Sequence, residues 1–179
     1  MLARILIFTF VSILPFATRI HAQGSDANAI AYNDRIVEAQ NRIGLILLKF
    51  NQAIAVHPED TVRAIHSEAV EVIKANLDSL DEMGSYERND SMRLAAISLF
   101  QFYMHTVVVD YEEMLHLLFL GPVNEERMSQ MEDIIARVAY EEAQVDKIFQ
   151  DAQKNFADRY GFTLGENRVQ QEINSQDNE

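Results

Sequence analysis

The chain has 179 residues, 48% of them hydrophobic, with 28 acidic against 15 basic side chains, a formal charge of −13 and no cysteine. That charge repels phosphate backbones and anionic lipid, so neither nucleic acid nor a membrane surface is an expected partner. The lack of thiols excludes disulfides, thiolate metal sites, thioether-linked haem and a lipidated N-terminal cysteine, so the chain is not expected to be a lipoprotein.

The N-terminus comes first. Arg4 supplies a positive charge, Ile5 to Phe16 is apolar apart from Thr9, Ser12 and Pro15, and Thr18 to Ala22 is more polar and ends on a small residue. This pattern predicts a secretory signal peptide over 1–22, cleaved after Ala22, with Ala17 as the alternative. The run is shorter than the roughly 20 apolar residues a membrane span needs, and no later segment is expected to span. Arg4 and Arg19 leave with the signal, so the exported chain is more acidic still. What remains is one domain, 23–162, large enough to bury its own core, and a disordered acidic tail, 163–179.

Four amphipathic segments follow. In the first, Ala27 to Val56, the residues Ala29, Tyr32, Ile36, Ala39, Ile43, Ile46, Phe50 and Ala53 recur at three- and four-residue steps, which is one helix face and a heptad seam. His57-Pro58 ends it, because a proline disfavours helix in the residue before it. The second segment is expected to start with Asp60 as N-cap and to stop at Gly84. Its stripe is Val62, Ile65, Ala69, Val72, Ile73, Leu77, Leu80 and Met83. Ser85 to Asn89 reads as a short polar turn.

The third segment opens at Asp90 or Ser91 and runs to about Leu120, with Ala96, Phe100, Tyr103, Met104, Val107, Tyr111, Met114 and Leu118 as its stripe. Phe102, Val109 and Phe119 lie off that stripe. So broad an apolar circumference implies the most buried helix or a partner-binding face. Asn124 caps the fourth segment, with Glu125 and Glu126 at the positive end of the helix dipole. Met128, Met131, Ile135, Val138, Val145, Phe149, Ala152 and Phe156 carry the seam to Tyr160. Gly161 is the expected left-handed stop, with Phe162 folding back on the last turn. Gly165 to Glu179, poor in apolar residues, reads as disordered. Short connections imply an all-α, up-down-up-down antiparallel four-helix bundle. The rivals are a displaced first helix or an intertwined dimer.

The residues that could carry chemistry are few. Glu113-Met114-Leu115-His116 is a Glu-x-x-His pair of the kind that ferritin-like bundles use for two metals, but the second pair is missing and this one projects away from the stripe. His105, Glu112 and His116 share a face and, with Glu113, are the candidate metal ligands. That row points outward. His57, His66 and His116 are expected at one end, near Glu59, Asp60, Glu125 and Glu126, where they would form a metal or pH-responsive cluster. Glu142 occupies a seam position between Val138 and Val145. A buried carboxylate there needs a partner, and Tyr103 or Arg35 is expected to supply it. Met104, Met114, Met128 and Met131 are spaced as core filling. The chain has no glycine-rich phosphate loop, no Gly-x-Ser-x-Gly elbow and no His-Glu-x-x-His, and no cofactor is expected.

The opening of the first segment, Ala31-Tyr32-Asn33-Asp34-Arg35-Ile36-Val37 with Gln40 following, resembles the start of some uncharacterised exported surface proteins of bacteria. The resemblance implies an envelope or secreted setting and a helical fold, and it supplies no catalytic residues. The expectation is therefore an exported, non-enzymatic helical protein that acts by binding or as a structural component. A homodimer or protein partner would dock on the third helix, with Ile30, Val37 and Leu48 of the first as further contact residues. The alternatives are a metal-binding bundle and a carrier of a small apolar ligand.

Overall fold

The computed structural model describes residues 26–122 and 124–165. The expected signal peptide, 1–22, and residues 166–179 of the expected 163–179 tail lie outside the described residues. The described residues are all-α and form four helices: α1 (Ala27–Val56), α2 (Glu59–Met83), α3 (Ser91–Phe119) and α4 (Glu125–Tyr160).

Asp26 starts α1 by accepting the N–H groups of Asn28 (2.9 Å) and Ala29 (3.3 Å), two donors that a first turn leaves unsatisfied. All eight residues of the expected α1 seam are buried. The buried face is broader than that seam, because Val37, Leu47 and Ile54 join it. Val37 therefore belongs to the core and is not available as the contact residue expected from its off-seam position.

Glu59 is the first residue of α2 and Pro58 its cap, which moves Asp60 from the expected N-cap into the first turn. A proline just ahead of the helix supplies a fixed φ, and the two acids of that turn face the helix dipole. Gly84 ends α2 at φ 70° and ψ 179°, so the chain swings directly into a tight turn without completing a left-handed cap.

α3 has a six-residue π-helical turn at its centre, Thr106–Tyr111, between α-helical stretches Ser91–His105 and Glu112–Phe119. Spacing counted at 100° per residue does not reveal this turn. By length and composition α3 is apolar enough to cross a membrane, contrary to expectation. Its apolar side chains average out along the helix rather than forming one unbroken run. Many of them are committed to the core: Met92, Ala96, Leu99, Phe100, Val107, Met114 and Leu115 are all buried.

Asn124 caps α4 through its side chain, which accepts from Arg127 N–H at 2.9 Å. Gly161 stops the helix in the left-handed conformation, φ 72° and ψ 36°. Phe162 N–H then donates to Ala157 C=O at 3.1 Å, and the Phe162 ring folds back edge-on to Phe156 at 6.1 Å. Phe50, Phe100, Phe149 and Phe156 are fully buried. Burying each contributes about 1.5–3 kcal/mol relative to leaving it in water.

Candidate functional site

The polar groups of the interior lie on the same stripes as the apolar ones. Asn33 and Gln40 on α1, Asn76 on α2, Thr106 and Asp110 on α3, and Glu142, Asp146 and Gln153 on α4 are all buried. Spacing could have found most of them. Asp110 falls three residues after Val107 and four before Met114. Asp146 falls three before Phe149, and Gln153 four after Phe149 and three before Phe156. Each sits where a helical stripe returns to the core. Of these buried polar residues only Glu142 is among the candidates that the sequence pattern gives above.

Glu142, 7% exposed, receives the Tyr103 hydroxyl at 3.5 Å, which is the expected Tyr103 partnership at the long limit of a hydrogen bond. Asp110, 1% exposed, sits opposite Arg137, whose Nη1 lies 3.0 Å from Oδ1. That is ion contact without hydrogen-bond alignment, since Oδ1 has no partner by angle. Tyr111 follows in the chain, fully buried and stacked on Phe50 at 5.1 Å. Burial raises the Tyr111 phenol well above its ordinary pKa, and the nearby acidic groups Glu142, Tyr103 and Asp110 raise it further. Two acids and two phenols from α3 and α4 thus share one region of the core. The Thr106 hydroxyl has no hydrogen-bond partner among the described residues, and neither amide atom of Asn51 has one.

Further ties cross between helices. Gln153 donates its amide to Asn33 at 2.9 Å. Arg42 donates to Asn76 at 3.0 Å. His66 Nε2 lies 2.7 Å from the Val107 carbonyl in the π turn. A carbonyl only accepts, so Nε2 carries the proton and the other ring nitrogen is left to face Glu112. That nitrogen is 4.0 Å from Glu112 Oε2. Arg63 bridges Glu59 (2.7 Å) and Glu112 (3.0 Å), and the two acids hold its guanidinium above its ordinary pKa.

The candidate metal ligands His105, Glu112, Glu113 and His116 are all on the exposed face of α3. Glu112 turns towards Arg63 and His66 of α2. His57 and His116 are exposed, while His66 is half-buried against the π turn, so the imidazoles sit in different environments. Among the described residues no three His, Asp or Glu side chains come together in a group able to hold a metal ion.

The other end of the core is aromatic. Tyr86, in the turn between α2 and α3, meets Tyr160 edge-on at 5.0 Å, Tyr32 at 5.3 Å and Phe156 at 5.6 Å. Its hydroxyl donates to Asp26 Oδ2 at 2.5 Å. This bond raises the Tyr86 phenol far above its ordinary value and holds the Asp26 carboxyl below its own. Tyr32 donates its hydroxyl to Gly84 C=O at 2.8 Å, and Asp26 N–H donates to Tyr160 C=O at 3.3 Å. The start of α1, the end of α4 and the α2–α3 turn are joined there. No protein-family model, curated protein or solved structure matches this chain.

Proposed function

We propose that the chain is an exported, non-enzymatic helical-bundle protein that acts by binding or as a structural component of the cell envelope. In this reading a signal peptide over 1–22 is removed and the four helices run antiparallel in up-down-up-down order. The observation that carries it is the use made of the interior polar groups. Asn33 with Gln153, Arg42 with Asn76, Tyr103 with Glu142, Asp110 with Arg137 and His66 with Val107 each tie one helix to another. Groups spent in this way fix register and rigidity, the qualities a spacer or docking scaffold needs.

The order of contacts supports the antiparallel layout. Along α1 and α2, Tyr32 meets Gly84, Arg42 meets Asn76 and Lys49 meets Glu68. Along α3 and α4, Tyr103 meets Glu142, Asp110 meets Arg137 and Leu117 meets Arg127. One number rises as the other falls in both pairs. The partner surface in this reading is the outer face of α3, where Leu94, Val108 and Val109 are about half exposed.

N-terminal sequencing of the chain from the exported fraction tests the compartment. A mature start at Gln23 is the expected result, and an intact Met1 in the cytosol would refute export. Metal analysis of the same sample tests the non-enzymatic reading. One equivalent of a transition metal, lost in variants of His105 and His116, would move the function to the metal-binding alternative.

A further inference from the structure

Asn89-Asp90-Ser91 is an Asn-x-Ser triplet whose middle residue is not proline, the acceptor sequence for N-linked oligosaccharide. No other asparagine in the chain has Ser or Thr two residues on. The triplet closes the turn between α2 and α3. Tyr86 N–H donates to Asn89 C=O at 3.1 Å and Asn89 N–H returns to Tyr86 C=O at 2.7 Å, which leaves Glu87 and Arg88 at the exposed tip. Both tip residues have positive φ, 47° and 63°. Two-residue turns of this kind favour Asn-Gly, and a side chain in the left-handed region costs about 1–2 kcal/mol per residue. The tip is therefore a strained, solvent-facing segment that opens more readily than the helices beside it.

The acceptor amide is presented in a defined way. Ser91 donates both its hydroxyl (2.8 Å) and its N–H (3.2 Å) to Asn89 Oδ1. The carbonyl end of the amide is held. Asn89 Nδ2 makes no hydrogen bond among the described residues, so the nitrogen is the end left for reaction.

We propose that Asn89 is an N-glycosylation site. The inference rests on the export reading, because the donor and its transferase act on chains that leave the cytosol. The donor is an oligosaccharide joined through its anomeric carbon to a polyprenyl diphosphate. Asn89 Nδ2 attacks that carbon and forms the N–C1 bond. The C1–O bond to phosphate breaks, and the polyprenyl diphosphate leaves with the bonding pair. Nδ2 gives one of its two protons to a base of the transferase, and nothing is oxidised or reduced. Ser91 orients the acceptor amide through its hydroxyl.

The test is intact mass and peptide mapping of the full chain taken from the exported fraction of its source cells. The peptide containing Asn89 should carry a sugar mass, and Asn89→Gln and Ser91→Ala should each remove it completely. Ser91→Thr should keep it. Ser91→Ala leaves the Tyr86–Asn89 backbone pairing in place, and an unchanged melting temperature will show that loss of sugar is not loss of fold. Bare Asn89 on an exported, processed chain overturns the proposal, as does a sugar mass that survives Ser91→Ala. A chain that keeps Met1 and stays in the cytosol overturns the export reading and this proposal with it.

Discussion

Around Phe156 the core is closed by rings, whereas around Tyr111 it is threaded with charge. Both regions lie on the same kind of seam. The aromatic end joins Tyr32, Tyr86, Phe156, Tyr160 and Phe162 across three parts of the chain. The central region sets Asp110, Glu142 and Tyr103 against Tyr111, at the end of the π turn. Ring contacts gain from area and tolerate small shifts, while buried carboxylates demand particular partners. The first region therefore supplies bulk stability and the second supplies uniqueness of register.

Phe156→Ala breaks the comparison at its aromatic side. Removing a fully buried ring that touches four others should cost about 3–5 kcal/mol in denaturant unfolding. A loss below about 1 kcal/mol would mean the cluster is peripheral. Arg137→Ala breaks the polar side by leaving the Asp110 carboxylate buried opposite nothing. Because Arg137 is itself half exposed, the loss should be nearer about 1–3 kcal/mol. Asp110→Asn in the same background should restore part of it, since the uncompensated charge is then gone.

Glu142→Leu sharpens the contrast. Its hydrogen bond from Tyr103 is long, and replacing a buried carboxylate with a hydrophobic residue of similar size is often neutral or favourable. Unfolding free energy should stay the same or rise by up to about 2 kcal/mol. A variant that does not fold would show that the carboxylate is indispensable to the polar region.

The smallest effect is a pH dependence at the aromatic end. The Tyr86 hydroxyl holds the Asp26 carboxyl below its ordinary value, so the folded state favours the ionised form. That contribution is present above the unfolded carboxyl pKa of about 3.9 and fades as pH falls through the lower folded value. Tyr86 has the opposite sign, because its folded pKa is raised. Its contribution is whole below the unfolded phenol pKa of about 10 and is lost as pH climbs beyond it. Tyr86→Phe should flatten both flanks of a stability-against-pH curve. Flanks identical to those of the parent chain would remove Asp26 and Tyr86 from the account.

The same contrast explains what could be read from the chain in advance. The helix ends were legible wherever a residue acts on its own neighbours. Asn124 caps, Gly161 stops and Phe162 folds back, all through local backbone chemistry. Asp60 is not the cap because Pro58 already fixes the backbone two residues earlier. The π turn was not legible, since the β-branched run Thr106 to Val109 disfavours an α-helix without specifying a π turn. The partner of Glu142 was readable because counting along two neighbouring helices places Tyr103 at its level. Asp110 and Gln153 were passed over although their spacing marked them, because each stands among apolar residues that already completed a stripe. The role of Tyr86 needs three remote pieces of chain to come together, and no local pattern encodes that.

The π turn has a consequence for how the gene tolerates change. A ring closed from residue i to i+5 holds one residue more than an α-helical ring. α3 therefore carries a surplus amino acid relative to a straight rod of the same span. Deleting Val108 or Val109, both on the outer side, would let the ladder relax to ordinary α-helix without reversing which residues face inward downstream. A single-codon loss, ruinous at most points in a helix, has a natural place here to be absorbed.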